Sequence, residues 1–335
     1  MQTAFLGDVV LTTPLFRALR RVAPDAHLTA LVTPAAAPLL EADPHLDEVL
    51  TYDKKGGESL AAVLRRVRRA RFDRLLAPHR SHRSGLLALF SGIPVRVGFA
   101  DGALSWAYTR RVDRPLDHHE VDRNLALLRG LGHEPVEADR VLHVGYTEVE
   151  GASVEAMLEQ AGVKPGARLA GLCPGSIWPT KRWGAEGFAA VARALADRGL
   201  RPVLLGGPDD AGVASEVQRL AGDRSGVLNA AGRTPLKALA AWMDRLSVLV
   251  TNDSAPLHVA AARGTPTVAV FGPTTRGLGF APFHAAARVV EVSLSCRPCG
   301  LHGGRRCPEG HFRCMGDVTP DQVLRALDDV LGGAA

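Results

Sequence analysis

The 335-residue chain is 46% hydrophobic and 22% charged, with a mean hydropathy near zero and a formal charge of +5. That length is about two domains' worth, with enough apolar residues for sizeable cores. No apolar run approaches the roughly 18 residues of a membrane span, and Met1–Asp8 lacks the charged and apolar regions of a signal peptide, which places the chain in the cytoplasm.

Gln2 to Leu6 reads as the second half of a first strand, so the expectation is that the native start lies upstream of Met1. Gly7-Asp8 follows, then a helix from about Thr13-Pro14 to Val22. Strands at 27–32 and 48–52, with a helix near 34–41 between them, continue a β/α alternation. From Lys54 to Arg83 there are ten Lys or Arg against Glu58 and Asp73, a local charge of +8. Such a patch suits an anionic partner, and it reads equally as the solvated face of a helix at 60–71. No nucleic-acid motif accompanies it, and aromatics are 5%, so nucleic acid is not the expected partner.

A strand at 72–77, a helix at 84–91 and a strand at 95–98 precede an irregular loop at 100–115. His118 and His119 are adjacent and point to different sides of the chain, so they do not read as a metal pair. A helix at 121–130 follows, and then a shorter one within 149–168, where the Gly162–Ala167 turn marks a hinge region. The expected domains are 1–155 and 156–335. The second half repeats the alternation: strand 169–173, helix 185–198, strand 202–206, helix 212–221, a turn at 228–232, helix 236–244, strand 246–250, helix 256–262, strand 267–271 and a last helix at 320–331. Apolar strands joined through helices mean parallel sheets, so the expectation is α/β, with two Rossmann-like halves facing a central cleft.

Two stretches in the second half carry chemistry. Asn252-Asp253-Ser254 sits at the carboxyl end of a strand and opens a helix, where free backbone N–H groups attract phosphate and Asp253 can accept from sugar hydroxyls. An isolated Asp-Ser there serves equally as a helix cap. Cys173-Pro-Gly-Ser-Ile-Trp-Pro-Thr-Lys-Arg-Trp183 lies between the half's first strand and first helix. Its Gly-Ser turn lets backbone approach a phosphate and Lys181 supplies a point charge. Together, the two loops can face one nucleotide.

Gly7-Asp8 before a helix, Pro174-Gly-Ser-x-Trp-x-Thr-Lys-Arg-Trp183, Gly206-Gly-x-x-Asp210, and Thr251-Asn-Asp-Ser-Ala-Pro-Leu-His-Val-Ala-Ala-Ala262 with Phe271-Gly-Pro-Thr274 resemble the ADP-heptose:lipopolysaccharide heptosyltransferase family, glycosyltransferase family 9. The resemblance covers nearly the whole chain. It implies a GT-B fold and an inverting, metal-independent transfer of heptose from ADP-heptose to a lipopolysaccharide core acceptor. By position, Asp8 matches the family's general base and Lys181 its diphosphate-binding lysine. Asp253, Ser254 and Ala255 match its donor loop, and His258 the histidine on the following helix turn. Ser176 lies in the phosphate-binding turn, and Asp210 falls near an acidic residue for the ribose. Ala255 stands where some members have Gly.

These residue types suit the chemistry. Inversion needs one displacement at the anomeric carbon, with a carboxylate to take the acceptor's proton, and the leaving diphosphate needs fixed positive charge. Asp8 also reads as a helix-capping carboxylate. The exposed arginines Arg65, Arg66, Arg68 and Arg69 are candidates for phosphates on a lipid-linked acceptor, which extends the cytoplasmic placement to peripheral contact with the inner, anionic face of the membrane. Two other readings stand beside this one: another GT-B sugar-nucleotide enzyme such as an epimerase, and a non-catalytic nucleotide-sugar binding protein.

Four of the five cysteines form Cys296-x2-Cys299-x7-Cys307-x6-Cys314, with His302 and His311 interspersed. In a reducing compartment this reads as a structural zinc site or as free or redox-active thiols, and no cofactor is expected for catalysis. Cys173, at a strand end, reads as core.

Overall fold

The computed structural model describes residues 1–332, in two compact units that meet in sequence between Gly145 and Tyr146.

The N-terminal unit holds five short parallel strands in two sheets. β1 (Thr29–Val32) pairs with β2 (Glu48–Thr51), and β3 (Arg74–Ala77), β4 (Val95–Phe99) and β5 (Arg110–Val112) form the other. Residues 1–5, expected as strand, take no strand assignment. They run between the sheets: Gln2 N–H donates to Leu31 O at 2.9 Å, and the Met1 amine donates to Leu76 O at 2.7 Å. One ladder bond on each side is too few to make a strand. A five-residue helix, Leu6–Val10, then precedes the expected one at Thr13–Val22. The helix Leu60–Ala70 turns Val63 and Val67 inward onto Leu31, Tyr52 and Leu87. Its arginines stay outside, as an amphipathic surface helix requires.

The C-terminal unit is one six-stranded parallel sheet. Its strands are β6 (Leu169–Cys173), β7 (Arg201–Leu204), β8 (Leu228–Asn229), β9 (Leu246–Asn252), β10 (Thr267–Val270) and β11 (Ala287–Val290), in spatial order β11-β10-β9-β6-β7-β8. β6, β9 and β10 are almost wholly buried because helices cover both faces. Helix Ala185–Asp197 shows the local logic: Phe188, Val191, Ala192 and Leu195 recur at helical spacing and all are buried. Burying each of the larger ones is worth about 1.5–3 kcal/mol. The last helix, Pro320–Gly332, packs on Ala185–Asp197 and on β9 to β11.

Chain progression runs outward from β6 through β7 to β8 on one side, and from β9 through β10 to β11 on the other. The order reverses between β6 and β9. In open α/β sheets, the carboxyl ends of the two strands flanking that reversal form the ligand crevice. Cys173 ends one of them and Asn252 the other.

Candidate active site

The loop after β6 is shaped by close backbone approach. A Cβ on Gly175 would stand 2.0 Å from Oδ1 of Asp210, so only glycine fits while Asp210 keeps its place. Asp210 closes the turn Pro208–Asp210 after β7, where its Oδ2 accepts from Gly207 N–H at 3.0 Å. Ser176 is buried; its Oγ accepts from Trp178 N–H at 3.3 Å, and its carbonyl accepts from Arg182 Nε at 2.8 Å. Pro179–Lys181 makes one 3-10 turn. The loop ends on Trp183, which is buried: its ring meets Phe188 edge-on at 5.1 Å and its Nε1 donates to Val318 O at 3.0 Å.

Asn252 ties this loop to the end of β9. Its Oδ1 accepts from Trp183 N–H at 3.0 Å, and its Nδ2 donates to Pro174 O at 2.8 Å. A wholly buried amide with donor and acceptor both used fixes the spacing of the two loops. The sequence placed Asn252 at this edge without assigning it that work, since its partners lie 69 and 78 residues away.

Beside it, Asp253 is 6% exposed, and its Oδ2 receives Lys181 Nζ at 2.6 Å and the Thr274 hydroxyl at 2.6 Å. Ser254 has extended backbone and makes no side-chain cap, which corrects the capping expectation; its Oγ instead lies 3.4 Å from Asn252 O and from Thr251 Oγ1. Ala255 is therefore the first residue of a helix, Ala255–Arg263, whose amino end carries no hydroxyl cap from Ser254. His258, one turn on, is buried. Lys181, with Asp253 as its partner, and the positive end of this helix thus stand at the same strand end.

The family described as glycosyltransferase family 9 (heptosyltransferase) matches residues 60–308. The chain belongs to that family. It is 27% identical to lipopolysaccharide heptosyltransferase 2 of Escherichia coli K12, over 98% of this chain and 96% of the relative. In structure it is similar to the family 9 glycosyltransferase from Veillonella parvula, with a TM-score of 0.86 and 28% identity over 99% of this chain and 96% of the other. The E. coli ADP-heptose LPS heptosyltransferase II gives a TM-score of 0.79 and 26% identity over 99% and 98%. This chain is a glycosyltransferase with the α/β GT-B fold.

In the N-terminal unit of this glycosyltransferase, Asp8 lies in the first turn of Leu6–Val10, where its Oδ2 accepts from Phe5 N–H at 3.2 Å. That bond is the capping interaction the sequence allowed, and it leaves the carboxylate half-buried. Arg65, Arg66, Arg68 and Arg69 are exposed on their helix. Arg66 is held by Glu58 at 2.7 Å and Thr51 O at 2.6 Å, and Arg68 donates to Phe90 O at 2.8 Å.

A different set of cations gathers just beyond the carboxyl ends of β2 and β3. Lys54 Nζ donates to Thr3 O at 2.5 Å, Arg80 pairs with Asp101 at 2.7 Å, and burial first and then the charge of Arg83 lower the pKa of Lys54. His79 sits among them, 3.1 Å from Thr3 Oγ1 and 3.2 Å from Ser84 Oγ. Burial first, and then Lys54 and the Met1 amine, lower its pKa to about 4, so it is neutral at pH 7. These residues fall inside the basic segment, apart from the helical arginines.

Cys299, Cys307, Cys314 and His302 line one cavity of about 100 Å³. Burial raises the pKa of Cys299 and of Cys314, and the other cysteines of the group add to it. All are free thiols, and Cys296 Sγ lies 3.9 Å from His311 Nε2. Among the described residues no three His, Cys, Asp or Glu side chains are placed to hold a metal ion. Cys173 is buried in the core.

Proposed function

We propose that this chain transfers heptose from ADP-heptose to a lipopolysaccharide core acceptor, with inversion and without a catalytic metal. The observation that carries the reading is the convergence of Lys181 and the Thr274 hydroxyl on Asp253 at the reversal point of the sheet, beside a helix amino end with no side-chain cap. Full-length similarity to E. coli enzymes described as lipopolysaccharide heptosyltransferase 2 and as an ADP-heptose LPS heptosyltransferase supports the choice of donor and acceptor.

In this reading the diphosphate seats on Lys181, the turn at Gly175-Ser176 and the Ala255 N–H, the one amide left in a first turn where Pro256 has none and Leu257 donates to Ser254 O, while Asp253 and Asp210 accept hydroxyl hydrogens of the sugar and ribose. His258, buried in the second turn, backs the loop. The acceptor oxygen attacks the anomeric carbon as the bond to the diphosphate breaks. Asp8 takes the acceptor's proton, and the departing electron pair stays on the diphosphate, where Lys181 and the helix dipole lower its energy. Fixed positive charge already at hand does the work a divalent ion does elsewhere.

On the acceptor side, Lys54, Arg80 and Arg83 join the helical arginines as contacts for an acceptor's anionic groups. Trp106 and Leu116, exposed by 63% and 62% on loops of the same unit, suit a peripheral lipid surface. No described helix is long and apolar enough to cross a membrane.

Calorimetry tests this directly. ADP-heptose is titrated against UDP- and GDP-sugars, with EDTA, on the wild type and Lys181→Ala. Selective binding that the substitution weakens and EDTA leaves alone is the expected result. Preference for another nucleotide would retain the glycosyltransferase and discard the heptose assignment.

A further inference from the structure

We infer that Arg297 is a positioning residue for the donor site, although it lies in the cysteine-rich segment and has no part in the reaction as written above. Its side chain is 4% exposed, which for a guanidinium demands partners on every side. Those partners are the turn after β10 and the two residues after β11. Nε donates to Gly272 O, and Nη2 donates to Thr274 O at 2.8 Å and more weakly to Phe271 O at 3.4 Å. Nη1 donates to Val292 O, and Glu291 takes Nη2 at 2.8 Å. Three of the four backbone carbonyls from Phe271 to Thr274 therefore point at one cation.

That turn carries Thr274, whose hydroxyl holds Asp253, and Asp253 holds Lys181. Arg297 thus sets Lys181 through two intermediates. The same segment reaches the other donor loop as well: Gly304 N–H donates to Thr180 Oγ1 at 2.7 Å, and Thr180 N–H donates to Gly304 O at 3.2 Å. Between these anchors, Cys299 N–H donates to Pro273 O at 2.9 Å. Residues 297–304 strap together the two loops that flank Asp253.

Lysine keeps the charge at this position but loses the fork that reaches several carbonyls at once, so Arg297→Lys isolates geometry from charge. The inference rests on the donor reading, and ADP alone is the probe. Arg297→Lys, Thr274→Val and the double variant are compared with wild type by ADP calorimetry, by kcat and donor KM, and by thermal unfolding. The expected result is at least tenfold weaker ADP binding in each single variant, with the folded fraction intact. The double variant loses no more than the worse single, because both break one chain of contacts.

Strictly additive losses, or ADP affinity within twofold of wild type in a folded Arg297→Lys, would overturn the positioning role and leave the donor site standing. If Arg297→Lys does not fold, Thr274→Val decides: unchanged ADP affinity overturns the proposal. Failure of the wild type itself to bind ADP would instead remove the donor reading on which this one depends.

Discussion

Lys181 Nζ lies 2.6 Å from Asp253 Oδ2, across 72 residues of sequence, with the two side chains 12% and 6% exposed. A pair this buried is costly to break from one side, because the remaining charge is left without a partner. Lys181→Met is expected to destabilise the C-terminal unit by about 3 kcal/mol or more, and pairing it with Asp253→Asn should recover part of that loss. Urea unfolding of the four forms measures it; an unchanged midpoint in Lys181→Met would mean the pair contributes nothing to stability.

Asp8 is expected to matter for rate and not for donor affinity. Asp8→Asn keeps an oxygen for Phe5 N–H but cannot take a proton. The expected drop in kcat is roughly 10²–10⁴-fold, with ADP affinity within twofold of wild type. Steady-state kinetics with full turnover in Asp8→Asn would leave the carboxylate as a helix cap and nothing more.

Gly175 faces Asp210 so closely that an added methyl would lie 2.0 Å from Oδ1. Gly175→Ala must displace either the loop or the carboxylate, and nucleotide binding is expected to fall at least tenfold. Gly212 provides the contrast: it is helical, and a Cβ added there would meet nothing within 4 Å. Gly212→Ala should leave binding alone and raise stability by about 0.5–1 kcal/mol.

The half-buried imidazole of His79 gives the N-terminal unit a signature in pH. Its folded pKa is lowered to about 4 from 6.5, so between those values the unfolded chain binds a proton that the folded chain does not. Stability contributed at neutral pH is therefore lost as pH falls from about 6.5 towards 4, and the loss levels off below. His79→Asn should flatten that limb in urea titrations run from pH 7.5 to 4.5. An equally steep limb would assign the acid sensitivity to other groups.

The C-terminal sheet was legible because β6, β9 and β10 are continuous apolar runs punctuated by Gly, Pro and Asn, and buried parallel strands need nothing else. Arg110–Val112 and Ala287–Val290 escaped notice: both are short edge strands, one with two exposed arginines and the other with Arg288. Lys181 and Asp253 could be picked out by residue type in the loops after strands, and Asp210 through the family resemblance. The work of Asn252, Thr274 and Arg297 could not be read, because it is done through partners distant in sequence. An arginine among cysteines and glycines reads as exposed until its carbonyl partners are seen.

The strap formed by residues 297–304 is pinned at both ends, and a Cβ on its Gly303 would stand 2.6 Å from Trp178 Cβ. Pro308 to His311, a few positions on, are exposed. Lengthening the chain by one residue inside the strap would throw its two anchors out of phase, whereas a peptide tag or reporter spliced into 308–311 would sit clear of both. Two neighbouring stretches of one loop thus differ sharply in how much editing they tolerate.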